Sequence, residues 1–211
     1  MHSKAYFNRV ARDWDEMRRS FFPDSLRDAA IAAGEPIRGL TCVDLGAGSG
    51  FLSAGLLAHG AEVLSLDQSE EMLKLLNEKF GHSRHFRTQL VIGKRLPLAD
   101  RSADRIFANM FLHHVENPPE MIAECYRILR PGGKLVITDL DRHQYEFLLK
   151  EHYDRWPGFE RRHIETWFKK AGFKEISVKD AGSRCTGSSL CTCDQASISI
   201  FLAISSKESD G

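Results

Sequence analysis

Neither sign of charge dominates this chain. Its 211 residues carry 29 Lys+Arg and 29 Asp+Glu, so it has no basic field to draw in nucleic acid or an anionic membrane. No apolar run is long enough to span a bilayer, and the first stretch, MHSKAYFNRVARDWDEMRR, lacks the apolar core of a signal peptide. The reading is a cytoplasmic location, with no nucleic-acid and no membrane partner. Cysteine is scarce and odd in number, five residues scattered along the chain, which excludes a disulfide framework. Cys42 and Cys125 fall on core faces and read as packing. There is no internal repeat, and the oligomeric state leaves no trace in the composition.

The length suits a single domain over 1–211 with a full core. Residues 1–34 read as helical, with Tyr6, Phe7, Val10, Ala11, Trp14 and Met17 at helical spacing and a break before Pro23. Short β-rich runs at 40–45, 61–67, 85–92, 103–110 and 134–140 alternate with helical patterns. Ser69 caps one of these helices and Asn117-Pro118 opens another. Further helices are expected near 143–154 and 160–171. Runs 173–180 and 196–205 have no helix between them and should pair as an antiparallel hairpin. This order predicts an α/β fold, a mostly parallel sheet covered on both faces with one reversed strand at its end. It divides into a helical cap (1–34), a cofactor-binding core (40–140), and substrate-side helices with a C-terminal hairpin (141–211).

The stretch VDLGAGSG, residues 43–50, is a strand running into a glycine turn. Such a turn at the carboxyl end of a parallel sheet is where ligands bind in these folds, and glycine brings peptide N–H groups close to them. Asp67 ends the next strand, placed to accept hydrogen bonds from both ribose hydroxyls. Together they suggest an adenosine cofactor. A dinucleotide turn is G-x-G-x-x-G; here the spacing is G-x-G-x-G, and Phe51 stands where the third glycine belongs. Asp44 would repel a pyrophosphate but suits an ammonium and a sulfonium. The chemistry favours S-adenosyl-L-methionine.

VDLGAGSGFL, VLSLDQSEEML, FANMFLHHVENP and YRILRPGGKLVITDL together resemble, in order, the motifs of the class I S-adenosylmethionine-dependent methyltransferases of type 11, over roughly residues 1–180. The resemblance implies a doubly wound, Rossmann-like sheet of seven strands, the last antiparallel, with an N-terminal helical cap. It places Asp44, Gly46 and Gly48 at the methionine part, Asp67 at the ribose, and Gln68 and Met72 at the adenine edge. Asn109 to Phe111 form the floor near the sulfonium, and Tyr6 and Trp14 of YFNRVARDWD reach over from the cap. The segment 138–173 is similar to a subgroup in bacteria, some of it fused to regulators of the arsenic-sensing type. One departure stands out. Where members carry a phrase like GDAxxLP for the adenine amino group, this chain reads VIGKRLPLAD with Lys94 in that neighbourhood. Either a backbone group near Arg95 and Leu96 takes over, or adenine is held by fewer contacts.

Methyl transfer is an in-line displacement on an activated donor, so alignment supplies much of the catalysis and no catalytic dyad is required. His113 and His114 read as structural. Asp139, Asp141 and His143 leave the fifth strand at the ligand edge and are the candidate bases. Residues 181–195 read as a hairpin loop of about fifteen residues, long enough to be functional. Its Cys185, Cys191 and Cys193 have no zinc-ribbon spacing and are candidates for a soft metal or metalloid only; no metal is assigned. The expected function is methyl transfer to a small-molecule substrate, possessing a thiol or metalloid centre in the narrower reading. A methyltransferase-fold sensor for a soft ion is the alternative, and a nicotinamide oxidoreductase is disfavoured by the glycine spacing.

Overall fold

The computed structural model describes residues 3–151, 153–189 and 194–210. Three helices come first: α1 (Ser3–Val10), α2 (Trp14–Phe21) and α3 (Ser25–Gly34). The expected break at Pro23 is there, and a turn at 11–13 adds another. Strands and helices then alternate through β1 (Thr41–Leu45), α4 (Phe51–Ala58), β2 (Glu62–Asp67), α5 (Glu70–Phe80), β3 (Phe86–Leu90) and β4 (Ala103–Asn109). The chain continues through α6 (Pro118–Ile128), β5 (Leu129–Leu140), a short α7 (Glu146–Glu151), α8 (Arg161–Ala171), β6 (Lys174–Ser188) and β7 (Gln195–Ser206). Local chemistry sets the helix starts. Ser69 Oγ accepts the Met72 N–H at 3.1 Å, and Asn117 caps α6 ahead of Pro118.

The seven strands lie in the order β3-β2-β1-β4-β5-β7-β6. Pairings among β1 to β5 are parallel, and β7 is antiparallel to both of its neighbours. The chain winds outward from β1 in one direction and from β4 in the other. Their carboxyl ends therefore part at the switch point where doubly wound sheets form a crevice.

Alternation along the strands separates two cores. Val43, Ile106, Leu135 and Ile137 face α6 and α8, where they meet Ile122, Cys125, Ile164 and Phe168. Cys42, Phe107 and Val136 point the other way, onto Ile31 of α3 and Leu52 and Leu56 of α4. Burial pushes both the Cys42 and the Cys125 thiol up to about 12, as expected of packing residues.

The long C-terminal loop requires correction. Strand β6 runs on to Ser188, so Thr186 pairs with Ser197 and Cys185 with Ile198, after a register shift between Asp180 and Arg184. Gly182, with φ +70°, sits in that shift. An edge strand has one paired side and needs no apolar face toward solvent, so SRCTGS carries the composition of a loop while forming a ladder. Among the described residues, no helix is long and apolar enough to cross a membrane.

Helix α3 approaches the sheet through a glycine. A Cβ on Gly34 would stand 2.4 Å from the Phe107 ring. Gly34→Ala should therefore cost ~1–3 kcal/mol by overpacking, read as a lowered urea midpoint. Gly187→Ala, where the nearest atom would be a Leu148 methyl at 3.7 Å, should leave the midpoint near wild type. Equal midpoints for the two variants would contradict this account of the α3 interface.

Candidate active site

The turn after β1 is built on peptide donors that find acceptors on β2. Gly46 and Ala47 both donate to the Leu66 carbonyl, at 2.9 and 3.0 Å, and Gly48 N–H donates to Asp67 Oδ2 at 2.8 Å. Gly46 has φ +71°, and a Cβ there would lie 2.1 Å from the Phe111 ring. Gly48, at φ +53°, lies under the Trp14 indole, which would be 3.5 Å from its Cβ. The bare backbone thus lets aromatic rings from two other segments close on the turn.

Asp67 stands at the end of β2. Its other oxygen accepts the Ser69 N–H at 2.8 Å. Burial raises its pKa, against the pull of the backbone donors of Ser69, Gly48 and Gln68. A carboxylate offers about four acceptor positions, so these peptide bonds leave capacity for a ligand. Asp44 behaves differently. It is buried, and its Oδ2 accepts both the N–H and the hydroxyl of Ser53, at 2.9 and 2.5 Å. Burial pushes its carboxyl up to about 7, against those Ser53 bonds.

Helices α1 and α2 are latched over this edge. Asp15 accepts from Ser49 Oγ and from Lys79 Nζ, while Lys79 also reaches the Ser49 carbonyl at 2.8 Å. Burial opposes the charge on Asp15, yet the Lys79 and Ser49 bonds hold its pKa below the ordinary value. Ser69 Oγ donates to Asn8 Oδ1 at 2.6 Å. Beneath the latches lies a cavity of about 510 Å³, which Phe7 and Trp14 line from above.

Gly46, Gly48, Asp67, Gln68, Met72, Leu96 and Asn109 all line that cavity. Two other expected contacts do not. Asp44 turns into the sheet toward Ser53, and Tyr6 is buried between Phe7 and Tyr153, with ring centroids 5.3 and 5.2 Å away. Leu96 presents its side chain, but its backbone is committed elsewhere: its N–H donates to Glu124 at 3.0 Å and its carbonyl accepts from Arg127 at 3.1 Å. Of the two ways to hold adenine, a backbone contact at Leu96 is therefore closed, while Gly93 and Lys94 are also on the wall. Asn109 is oriented by the Thr138 hydroxyl, which donates to it at 2.8 Å. Sequence reasoning missed Arg18, Phe22, Glu120 and Arg155, which lie outside the quoted motifs, and took Phe51 only as the residue in place of a third glycine, although it too lines the cavity.

The candidate bases do not reach the cavity. Asp139 is fully buried, with Oδ1 2.7 Å from His113 Nδ1 and Oδ2 accepting the Leu112 N–H at 2.7 Å. Asp141 is clamped by Arg161 through two bonds of 2.8 and 2.6 Å and by the Ser199 hydroxyl. His143 is buried, and burial, with the charges of His113 and Arg142, pushes its pKa down to about 4. His114 lines the cavity instead. Cys185 is half-buried against the cluster of Phe22, Leu140, Leu148 and Ile198, and burial pushes its thiol up to about 12. That state is a poor soft-metal ligand. Cys191 and Cys193 lie outside the described residues.

Burial works against charge on His113, but the Asp139 and Asp154 carboxylates outweigh it and hold its pKa up to about 9. This lies above the ordinary 6.5, so the contribution to stability is complete below about 6.5 and is lost as pH rises through about 9. Imidazole nitrogen NMR should find His113 doubly protonated at pH 7.5 and titrating near 9, and Asp139→Asn should move that titration downward. A wild-type midpoint near 6.5 would refute the pairing.

The family model described as "Methyltransferase domain" matches residues 43–137. A demethylmenaquinone methyltransferase from Clavibacter sepedonicus is 28% identical over 207 residues, covering 83% of this chain and 84% of that one. A malonyl-[acyl-carrier protein] O-methyltransferase from Methylococcus capsulatus is 35% identical over 64% of this chain, which spans only 52% of that relative's length. Among solved structures, a SAM-dependent methyltransferase from Aquifex aeolicus superimposes with a TM-score of 0.68 at 18% identity, covering 94% of this chain and 97% of that one. Residues 43–137 thus match a methyltransferase domain, carried on a 3-2-1-4-5-7-6 sheet with a glycine turn closed by Asp67 at the edge of a ligand-sized cavity, and the chain is similar to the class I S-adenosylmethionine-dependent methyltransferases.

Proposed function

We propose that the chain, read over 1–211 as one catalytic domain, methylates a small molecule that carries a flat, apolar body. The observation behind the cofactor pose is the pairing of Gly48 N–H with Asp67 at the cavity wall. It leaves acceptor positions on Asp67 for the two ribose hydroxyls, with Gln68 and Met72 alongside for the adenine. Gly46 and Gly48 would hold the methionine part, and Asn109 and Phe111 the region of the sulfur. S-adenosylmethionine supplies a methyl group already activated by its sulfonium. The protein's share is then to align an acceptor, exclude water and receive a proton where the acceptor brings one.

The acceptor class rests on the lining. Phe7, Phe22, Phe51, Met110 and Phe111 dominate the walls, which favours a planar apolar ring over a hydrated ion. The name of the Clavibacter relative, a demethylmenaquinone methyltransferase, supports the same class. The narrower thiol or metalloid reading keeps only Cys185 among the described residues, and that thiol does not line the cavity.

Calorimetry with S-adenosylhomocysteine should give saturable binding. Asp67→Asn should weaken it ~10- to 100-fold, since a hydrogen bond to a charged group is worth ~1.5–3 kcal/mol. Radiolabelled methyl transfer should be found with reduced quinones and simple phenols. Binding with no transfer to any quinol, phenol, thiol or arsenite would overturn the enzymatic reading in favour of a sensor, and transfer confined to arsenite would overturn the acceptor class.

A further inference from the structure

Beside the cavity, Asp154 faces two imidazoles. Its Oδ1 is 3.7 Å from His113 Nε2 and 3.8 Å from His114 Nδ1, and the three atoms lie within 4.8 Å of one another. Both distances exceed those of a hydrogen bond. They approach the spacing of ligands around a common ion: tetrahedral ligands with metal–nitrogen bonds of ~2.0–2.1 Å stand ~3.3 Å apart. A closure of about half an ångström in each of the two nitrogen–oxygen distances would bring Asp154 to that spacing from both rings.

The surroundings hold the three groups in place. Asp139 Oδ1 lies 2.7 Å from His113 Nδ1, the carboxylate–histidine arrangement in which Nε2, on releasing its proton, can turn to a metal. Asp139 is itself fixed by the Leu112 and Leu140 N–H groups, each at 2.7 Å. The segment carrying Asp154 is tied to the histidine segment from the other side, because the Arg155 and Trp156 N–H groups both donate to the His113 carbonyl, at 3.0 and 3.1 Å. Residues some forty positions apart are thus joined twice around the gap between their side chains. Two imidazoles and one carboxylate suit zinc and its neighbours in the first transition row better than magnesium or calcium.

We propose that His113, His114 and Asp154 bind a divalent transition-metal ion, with Asp139 as the positioning residue behind His113. His114 also lines the cavity, so the remaining coordination positions would face the cavity. The site is independent of methyl transfer, since it is defined by binding of the ion alone.

Metal-stripped protein titrated with Co2+ should develop saturable visible absorption, displaced by Zn2+, with a single ion per chain by elemental analysis. Asp154→Asn and His114→Ala should each weaken binding at least ~10-fold, and Asp139→Asn ~10- to 100-fold. Asp154→Glu, which keeps a carboxylate, should retain a cobalt spectrum. Circular dichroism checks the fold of each variant, and if Asp154→Asn unfolds, His114→Ala, at the cavity wall, decides. A wild type without saturable absorption, or affinity unchanged in the folded variants, overturns the site.

Discussion

The hydrogen bond from Gly48 to Asp67 is the constraint on which the site depends. Three consecutive peptide units leave β1 with their donors pointed toward β2, and buried donors must find acceptors. Leu66 supplies one carbonyl to Gly46 and Ala47, and the Asp67 carboxylate takes Gly48. This spends part of the carboxylate's capacity on the turn and orients the remainder along the cavity wall. The glycines follow from the same closure, because a side chain at position 46 would occupy the place of Phe111.

Charge is distributed unevenly around this turn. Asp44, buried, and Asp67, half-buried at the cavity wall, are two acids at one sheet edge, both with pKa values raised chiefly through desolvation. Among the described residues neither is paired with a lysine or arginine, and each accepts instead from hydroxyl or peptide donors. Positive charge arrives from outside, through Lys79, and is spent on Asp15 and the Ser49 carbonyl. The cap is thereby attached to the glycine turn by a polar bridge over an aromatic layer of Phe7 and Trp14. Cap and turn share the wall of one cavity.

The opposite wall is organised around His113. Burial pushes Asp154 up to about 6, against the pull of the His113 charge, while the two carboxylates hold His113 up to about 9. A positive group inside a mostly apolar wall is thus retained by acids from β5 and from the segment after α7. This explains why Asp139 makes its bonds inward, to His113 and three peptide donors, and it adds to the burial that pushes the His143 pKa down.

Much of the framework was legible in the sequence. Strand and helix patterns, the Ser69 and Asn117 caps, the glycine turn and the acid ending β2 are local, because each is dictated by neighbours a few positions away. The tail was misread for a physical reason: β6 beyond Asp180 is an edge ladder held by backbone pairing with β7, and its small polar residues carry no periodic apolar signal. The direction of Asp44, the commitment of the Leu96 backbone to Glu124 and Arg127, and the removal of Asp141 by Arg161 were likewise invisible, since each partner sits on another element, Ser53 nine positions on and the others twenty or more. Sequence by itself determined the alternating layers and which strand ends carry the glycines and Asp67. Tertiary structure alone decided which polar side chains face the cavity and which face one another, because that depends on distances between segments that only the packed sheet brings together.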